Sequence, residues 1–104
     1  MEPFEVSTTD EGTVVGLQPI LDIRVADALK QTFLEAIEAG KPVTIDATQV
    51  ERIFTPCMQV ILAATEAFEE KNLEFSFKTP TEAFVSAFDD LGLFPTMMKW
   101  KVVS

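Results

Sequence analysis

The residues best placed to do chemistry lie in one short stretch, Thr55-Pro56-Cys57, reached after a strand ending at Asp46 and a loop through Phe54. A hydroxyl at a helix start meets backbone N–H groups and the positive end of the helix dipole, which favour an anion. A phosphate on Thr55 would bring about −1.5 to −2 charge to the point those N–H groups face. The ordinary reading of Thr55 is an N-cap with its hydroxyl spent on a backbone N–H, and on sequence physics alone that reading is the stronger. Asp22, in Leu21-Asp22-Ile23-Arg24, precedes another helix and reads first as its N-cap. Asp46, at a strand end, falls where α/β proteins place ligands, although a solvated strand-end carboxylate is common. Cys57 reads as a buried, inert thiol. A thiol activated by the helix start is the weaker alternative.

Composition removes most other chemistry. The chain has 104 residues, one Cys and no His. No serine-type triad, His-based acid or base, or structural zinc site follows from that inventory. Gly12, Gly16, Gly40 and Gly92 are isolated, so neither a Walker-type loop nor a dinucleotide fingerprint exists. Glu66, Glu69 and Glu70 read as a solvated helix face, because a metal would need convergent oxygens from elsewhere. The expectation is a protein that is not an enzyme, with no catalytic residues, no metal and no cofactor. Eight Lys and Arg face seventeen Asp and Glu, a formal net charge of -9. That balance repels nucleic acid and anionic lipid. The start of the chain lacks the basic and apolar regions of a signal peptide. The longest apolar stretch, Val60 to Ala64, falls far short of a span. A lone Cys suits a reducing compartment. One soluble, cytoplasmic domain over residues 1–104 is expected.

The elements that must hold Thr55 follow from periodicity. Phe4 and Val6 alternate with Glu5 and Ser7, and Thr13 to Leu17 follow a Gly turn, which predicts a hairpin. From Arg24 to Ala39, Val25, Ala28, Leu29, Thr32, Phe33, Ala36 and Ile37 share one helical face, and Gly40 stops the helix. Val43 to Ala47 is a β-rich run. Thr55 as N-cap with Pro56 at N1 predicts a second helix to about Lys71. Its half from Cys57 to Ala64 is apolar nearly all round and should be enclosed. Leu73 to Lys78 alternate as a half-buried strand. Thr79-Pro80-Thr81-Glu82 reads as a capping box with Pro at N1, opening a third helix with Phe84, Ala87, Phe88 and Leu91 on one face. Met98, Trp100 and Val102 alternate with Lys99 and Lys101 in a closing strand. Met97, Met98 and Trp100 read as this docked strand before an adhesive surface. The order β-β-α-β-α-β-α-β predicts an α/β fold with parallel crossovers. Half-polar strands predict helices packed mainly on one face of a mixed sheet.

In this order the chain resembles a STAS domain, the family named for sulfate transporters and anti-sigma factor antagonists. The likeness rests on Pro19-Ile20-Leu21-Asp22 with the following helix, on Val43 to Asp46 with Val50 through Leu62, and on Ala83-Phe84 through Leu91-Gly92-Leu93. It implies a mixed sheet with helices on one side. It also implies a switch, in which a partner kinase phosphorylates a Ser or Thr at the start of the second helix. Thr55 falls on that acceptor position and Asp22 on the acidic position beside it. This chain departs from the family pattern at Pro19, Phe54, Pro56 and Cys57, and Phe54 replaces an Asp next to the acceptor. The resemblance implies a non-enzymatic signalling module in a bacterial partner-switching or chemotaxis-type circuit. Its expected partner is a protein such as an anti-sigma-type serine/threonine kinase, met by Asp22, Phe54, Pro56, Cys57 and Met58. The alternative is a constitutive STAS subunit of a lipid-transport or transporter complex. A small-ligand or nucleotide-binding domain is weaker, because no phosphate loop exists.

Overall fold

A computed structural model describes residues 5–10, 12–97 and 101–103. The alternating N-terminal residues form the hairpin of β1 (Glu5–Thr9) and β2 (Gly12–Gly16), with Val6 opposite Val15. Phe4 lies outside the described residues. Strands β4 (Val43–Asp46) and β6 (Phe75–Lys78) join β2 in parallel, and β7 (Lys101–Val103) adds to β6. The five-stranded sheet runs β1-β2-β4-β6-β7 and is mixed, as the sequence predicts. Met98, Lys99 and Trp100 lie outside the described residues, so the closing strand is seen only from Lys101 on.

Period-2 alternation divides the sheet. Val15, Val43, Ile45 and Phe77 point to the core, whereas Val14, Thr44 and Ser76 share the other face. On that face the hydroxyls of Thr44 and Ser76 lie 3.1 Å apart, so the buried Ser76 is satisfied. The helices α1 (Ile23–Glu38), α2 (Thr55–Glu70) and α3 (Glu82–Asp90) all contribute to one hydrophobic core with the inward sheet residues. Phenylalanine rings tie these layers together: Phe33 and Phe68 meet Phe75 at 5.5 and 5.1 Å, and Phe77 meets Phe84 at 5.7 Å. These spacings lie in the favourable range for tilted and edge-on aromatic pairs.

Helix α1 follows its pattern closely. Ala26, Leu29, Phe33 and Ala36 are buried three or four residues apart, and Gly40 takes φ +68° just beyond the C-cap. Helix α2 corrects the expectation of enclosure. Cys57, Met58, Ile61, Ala64 and Phe68 are buried, but Ala63 is exposed and Val60 only half-buried. In α3, Phe84 and Phe88 are buried as predicted, while Leu91 lies past the helix and is exposed.

Three elements lie beyond the sequence expectation. A short helix α4 (Phe94–Met97) follows α3. Two-residue strands β3 (Ile20–Leu21) and β5 (Arg52–Ile53) pair in parallel in a sheet of their own. This small bridge positions the site.

Candidate functional site at the paired helix starts

The β3–β5 register places Leu21 opposite Ile53, so the next residues, Asp22 and Phe54, end up side by side as the N-caps of α1 and α2. The Phe54 N–H donates to Leu21 O at 2.9 Å, and the N–H groups of Glu51 and Arg52 both donate to Pro19 O, at 2.7 and 2.9 Å. The Cys57 thiol donates to Asp22 O at 3.2 Å, a further tie between the first turn of α2 and the cap of α1. The sequence elements flanking Asp22 and Thr55 are thereby joined, 33 residues apart in the chain.

The two starts are built differently. Asp22 is extended, and its Oδ1 accepts from the Arg24 N–H at 3.0 Å, which confirms it as an N-cap. The Arg24 guanidinium folds back onto the same carboxylate, with Nη2 at 2.6 Å from Oδ2. The Arg24 side chain is 82% exposed and the Asp22 side chain 18%. These guanidinium hydrogen bonds hold the Asp22 carboxyl below its ordinary value. Arg24 is a site residue that the sequence reading missed. The available signal is an Arg two residues beyond an N-cap Asp, close enough to reach back.

At α2 the N-cap is Phe54, not Thr55, and it offers no side-chain cap. Thr55 is the first helical residue and Pro56 the second. The reason is visible in the backbone: Phe54 O accepts from both the Cys57 and Met58 N–H groups at 3.1 Å, which starts the helix one residue early. The hydroxyl of Thr55 is therefore not spent on capping. Thr55 is exposed, and among the described residues no hydrogen-bond partner for its side chain is found. The array of free N–H groups expected at this end is thin, since Pro56 has none and Cys57 and Met58 bond to Phe54 O. The dipole of a 16-residue helix remains.

The expected partner surface also needs correction. Cys57 is fully buried and Met58 5% exposed, so neither is available at the surface. Burial, with the Asp22 charge adding to it, pushes the Cys57 thiol up to about 11, the opposite of activation by a helix start. Asp22 and the half-buried Pro56 border the surface, and Phe54 stands 45% exposed. Ile23, 72% exposed, and Ile20, 49% exposed, extend this apolar patch beyond the residues predicted. Asp46 is elsewhere engaged: the Thr48 hydroxyl and N–H donate to its Oδ1 in a turn, and the hydroxyl bond chiefly lowers its pKa. Among the described residues no group of three or more His, Cys, Asp or Glu converges to hold a metal, and no helix is long and apolar enough to cross a membrane.

The family model described as "Mlab, STAS domain" matches residues 4–94, and the chain belongs to that family. No curated protein matches. Among solved structures, the chain is similar in fold to a putative anti-sigma factor antagonist from Thermotoga maritima, with 17% identity, a TM-score of 0.80, and coverage of 97% of this chain and 86% of that one. A substituted form of RsbS from Moorella thermoacetica gives 20% identity and a TM-score of 0.79, covering 96% and 85%. The Bacillus cell fate determinant SpoIIAA, in its phosphorylated form, gives 16% identity and a TM-score of 0.74, covering 97% and 91%.

Proposed function

We propose that this chain is a non-enzymatic regulatory STAS domain of the anti-sigma factor antagonist type, which binds a protein partner through the paired starts of α1 and α2. The observation that carries this reading is the Thr55 hydroxyl, exposed on the first turn of a helix that lacks a side-chain cap. In this reading a serine/threonine kinase transfers the γ-phosphoryl group of ATP to Thr55 Oγ1, breaking its bond to the β,γ-bridging oxygen and releasing ADP and the hydroxyl proton. The new group adds about −1.5 to −2 charge beside Phe54 and Ile23. A contact fitted to those apolar side chains must then desolvate a dianion and weakens. A phosphorylated SpoIIAA among proteins of like fold supports an acceptor in this class.

The test is incubation with an anti-sigma-type kinase and ATP, followed by mass spectrometry of the tryptic peptides and by partner binding. The expected result is one phosphate, on Thr55, absent from Thr55→Ala, with Thr55→Glu binding the partner at least about tenfold more weakly, or about 1.4 kcal/mol. An unmodified Thr55 together with undiminished binding by Thr55→Glu would falsify the switch.

The exposed Phe54 and Ile23 favour one second reading, a constitutive subunit held in a lipid-transport or transporter complex. Co-purification with an ATPase or permease that is indifferent to Thr55→Glu selects it.

A further inference from the structure

Between α1 and α2 lies an apolar groove of about 500 Å³, which runs from Ile23 and Pro56 at the helix starts to Ile37 and Ala67. Its walls are Ile23, Leu34 and Ile37 from α1 and Val60, Ala63 and Ala67 from α2. Ala63 and Leu34, facing each other from the two helices, are both exposed. From Pro56 to Ala67 the groove extends about 17 Å at the helical rise, or three turns of a helix. Its width is set by small residues, Ala26, Ala63, Ala64 and Ala67, that let another backbone approach.

The rims carry the second observation. Asp27 lies on the α1 wall. Glu38 stands four residues beyond Leu34, and Glu66 and Glu70 stand three beyond Ala63 and Ala67, so each flanks a wall residue. All four carboxylates are exposed, against Lys30 in the groove and Lys71 at its end. Both helices run from the bridged end, and neither has a basic residue in its last turn. Their negative dipole ends therefore add to the acidic end of the groove. A second copy of this chain would bring the same carboxylates against these, on a molecule already at -9. An anionic lipid surface is repelled for the same reason.

We infer that the α1–α2 groove is a docking site for an amphipathic helix of a partner protein, apolar on one face and basic on the other. The apolar side chains of such a helix, at i, i+3 or i+4, and i+7, enter between Leu34 and Ala63, and its Lys or Arg residues meet Glu38, Glu66 and Glu70. The groove adjoins the helix-start surface at Ile23 and Pro56, but its acidic end lies at the far ends of α1 and α2, so docking there does not require modification of Thr55.

The probe is a synthetic 18-residue peptide with Leu at those spacings and Lys and Arg elsewhere, titrated into the ¹⁵N-labelled full chain. A second peptide keeps the Leu face but carries Glu in place of every basic residue. The basic peptide is expected to shift amides along residues 23–37 and 57–67, and to bind at least tenfold more tightly than the acidic one. Glu66→Lys with Glu70→Lys, both on exposed positions, is expected to weaken binding at least fivefold while leaving the spectrum of the free chain folded. Raising salt from 50 to 500 mM is expected to weaken it similarly. Equal binding of the two peptides, shifts confined to other surfaces, or no binding overturns the proposal. Sedimentation equilibrium of the chain alone supplies a further outcome: a dimer that Leu34→Asp returns to monomer assigns the groove to self-association and overturns it.

Discussion

The starts of α1 and α2 lie side by side and are finished in opposite ways. At α1, Asp22 caps the helix and Arg24 closes over the carboxylate, so charge and hydrogen-bonding capacity are spent locally. At α2, Phe54 occupies the cap position without a polar group, and Thr55 is exposed with no side-chain cap bond. The start of α3 resembles α1: Thr81 accepts from the Phe84 N–H at 3.2 Å and donates to Val50 O at 2.7 Å. The starts of α1 and α3 carry side-chain caps, whereas the start of α2 forgoes that stabilisation and leaves Thr55 exposed. A helix end left without a cap forgoes about 1 kcal/mol, a cost small enough for a folded domain to carry at one site.

The largest effect expected from this comparison concerns Cys57, which ties the two starts together. With its thiol near 11, only about 0.1% is thiolate at pH 8. Iodoacetamide should label the native chain at least a hundredfold more slowly than the urea-unfolded chain. A ratio near one would mean that the α2 start opens freely. Next comes a matched pair of substitutions. Thr81→Ala removes a cap and should cost about 1 kcal/mol in urea unfolding. Thr55→Ala, which removes an uncapped exposed hydroxyl, should stay within about 0.5 kcal/mol. Equal losses would show that Thr55 supports its helix after all. The smallest effect is the acid limb of stability. The Asp22 and Asp46 carboxyls lie below their ordinary values in the folded chain. Their contribution is thus complete above the unfolded carboxylate pKa and lost as pH falls through the folded values. Urea midpoints measured from pH 6 down to pH 2 should fall less steeply for Asp22→Asn than for the parent. An unchanged slope would place the closure of Arg24 over Asp22 outside the folding balance.

What the sequence made legible was set by length and period. The hairpin, α1 and the strands around Ile45 and Phe77 span several residues of one periodicity, so their faces could be read directly. The bridge of Ile20-Leu21 with Arg52-Ile53 could not, because two residues carry no period and parallel pairing across 30 residues leaves no local trace. Thr-Pro was misleading twice, in opposite directions. At Thr55-Pro56 the helix begins one residue earlier than a Thr cap implies, because the Phe54 carbonyl closes the first turn. At Thr79-Pro80 it begins later: Thr79 takes φ +46°, and Thr81 is the cap. Tertiary contact settles both cases, since Thr81 is held by Val50 O and Phe54 by Leu21 O. Of the surface expected around Thr55, Phe54 and Pro56 remain with Asp22. Cys57 and Met58 belong to the core, on the same face of α2 as Ile61, Ala64 and Phe68.

The bridge has one more consequence, on the time axis. The Phe54 amide is held by Leu21 O, while Pro19, which has no amide of its own, supplies the single carbonyl that holds Glu51 and Arg52. These three amides cannot be freed one helix at a time, because separating either helix start from the other breaks all of their bonds together. In deuterium exchange they should behave as one unit with a common opening rate, slower than the exposed turns on either side. A ligand that clamps either helix start would then slow exchange at both, and the pair would report occupancy at a distance from the bound surface.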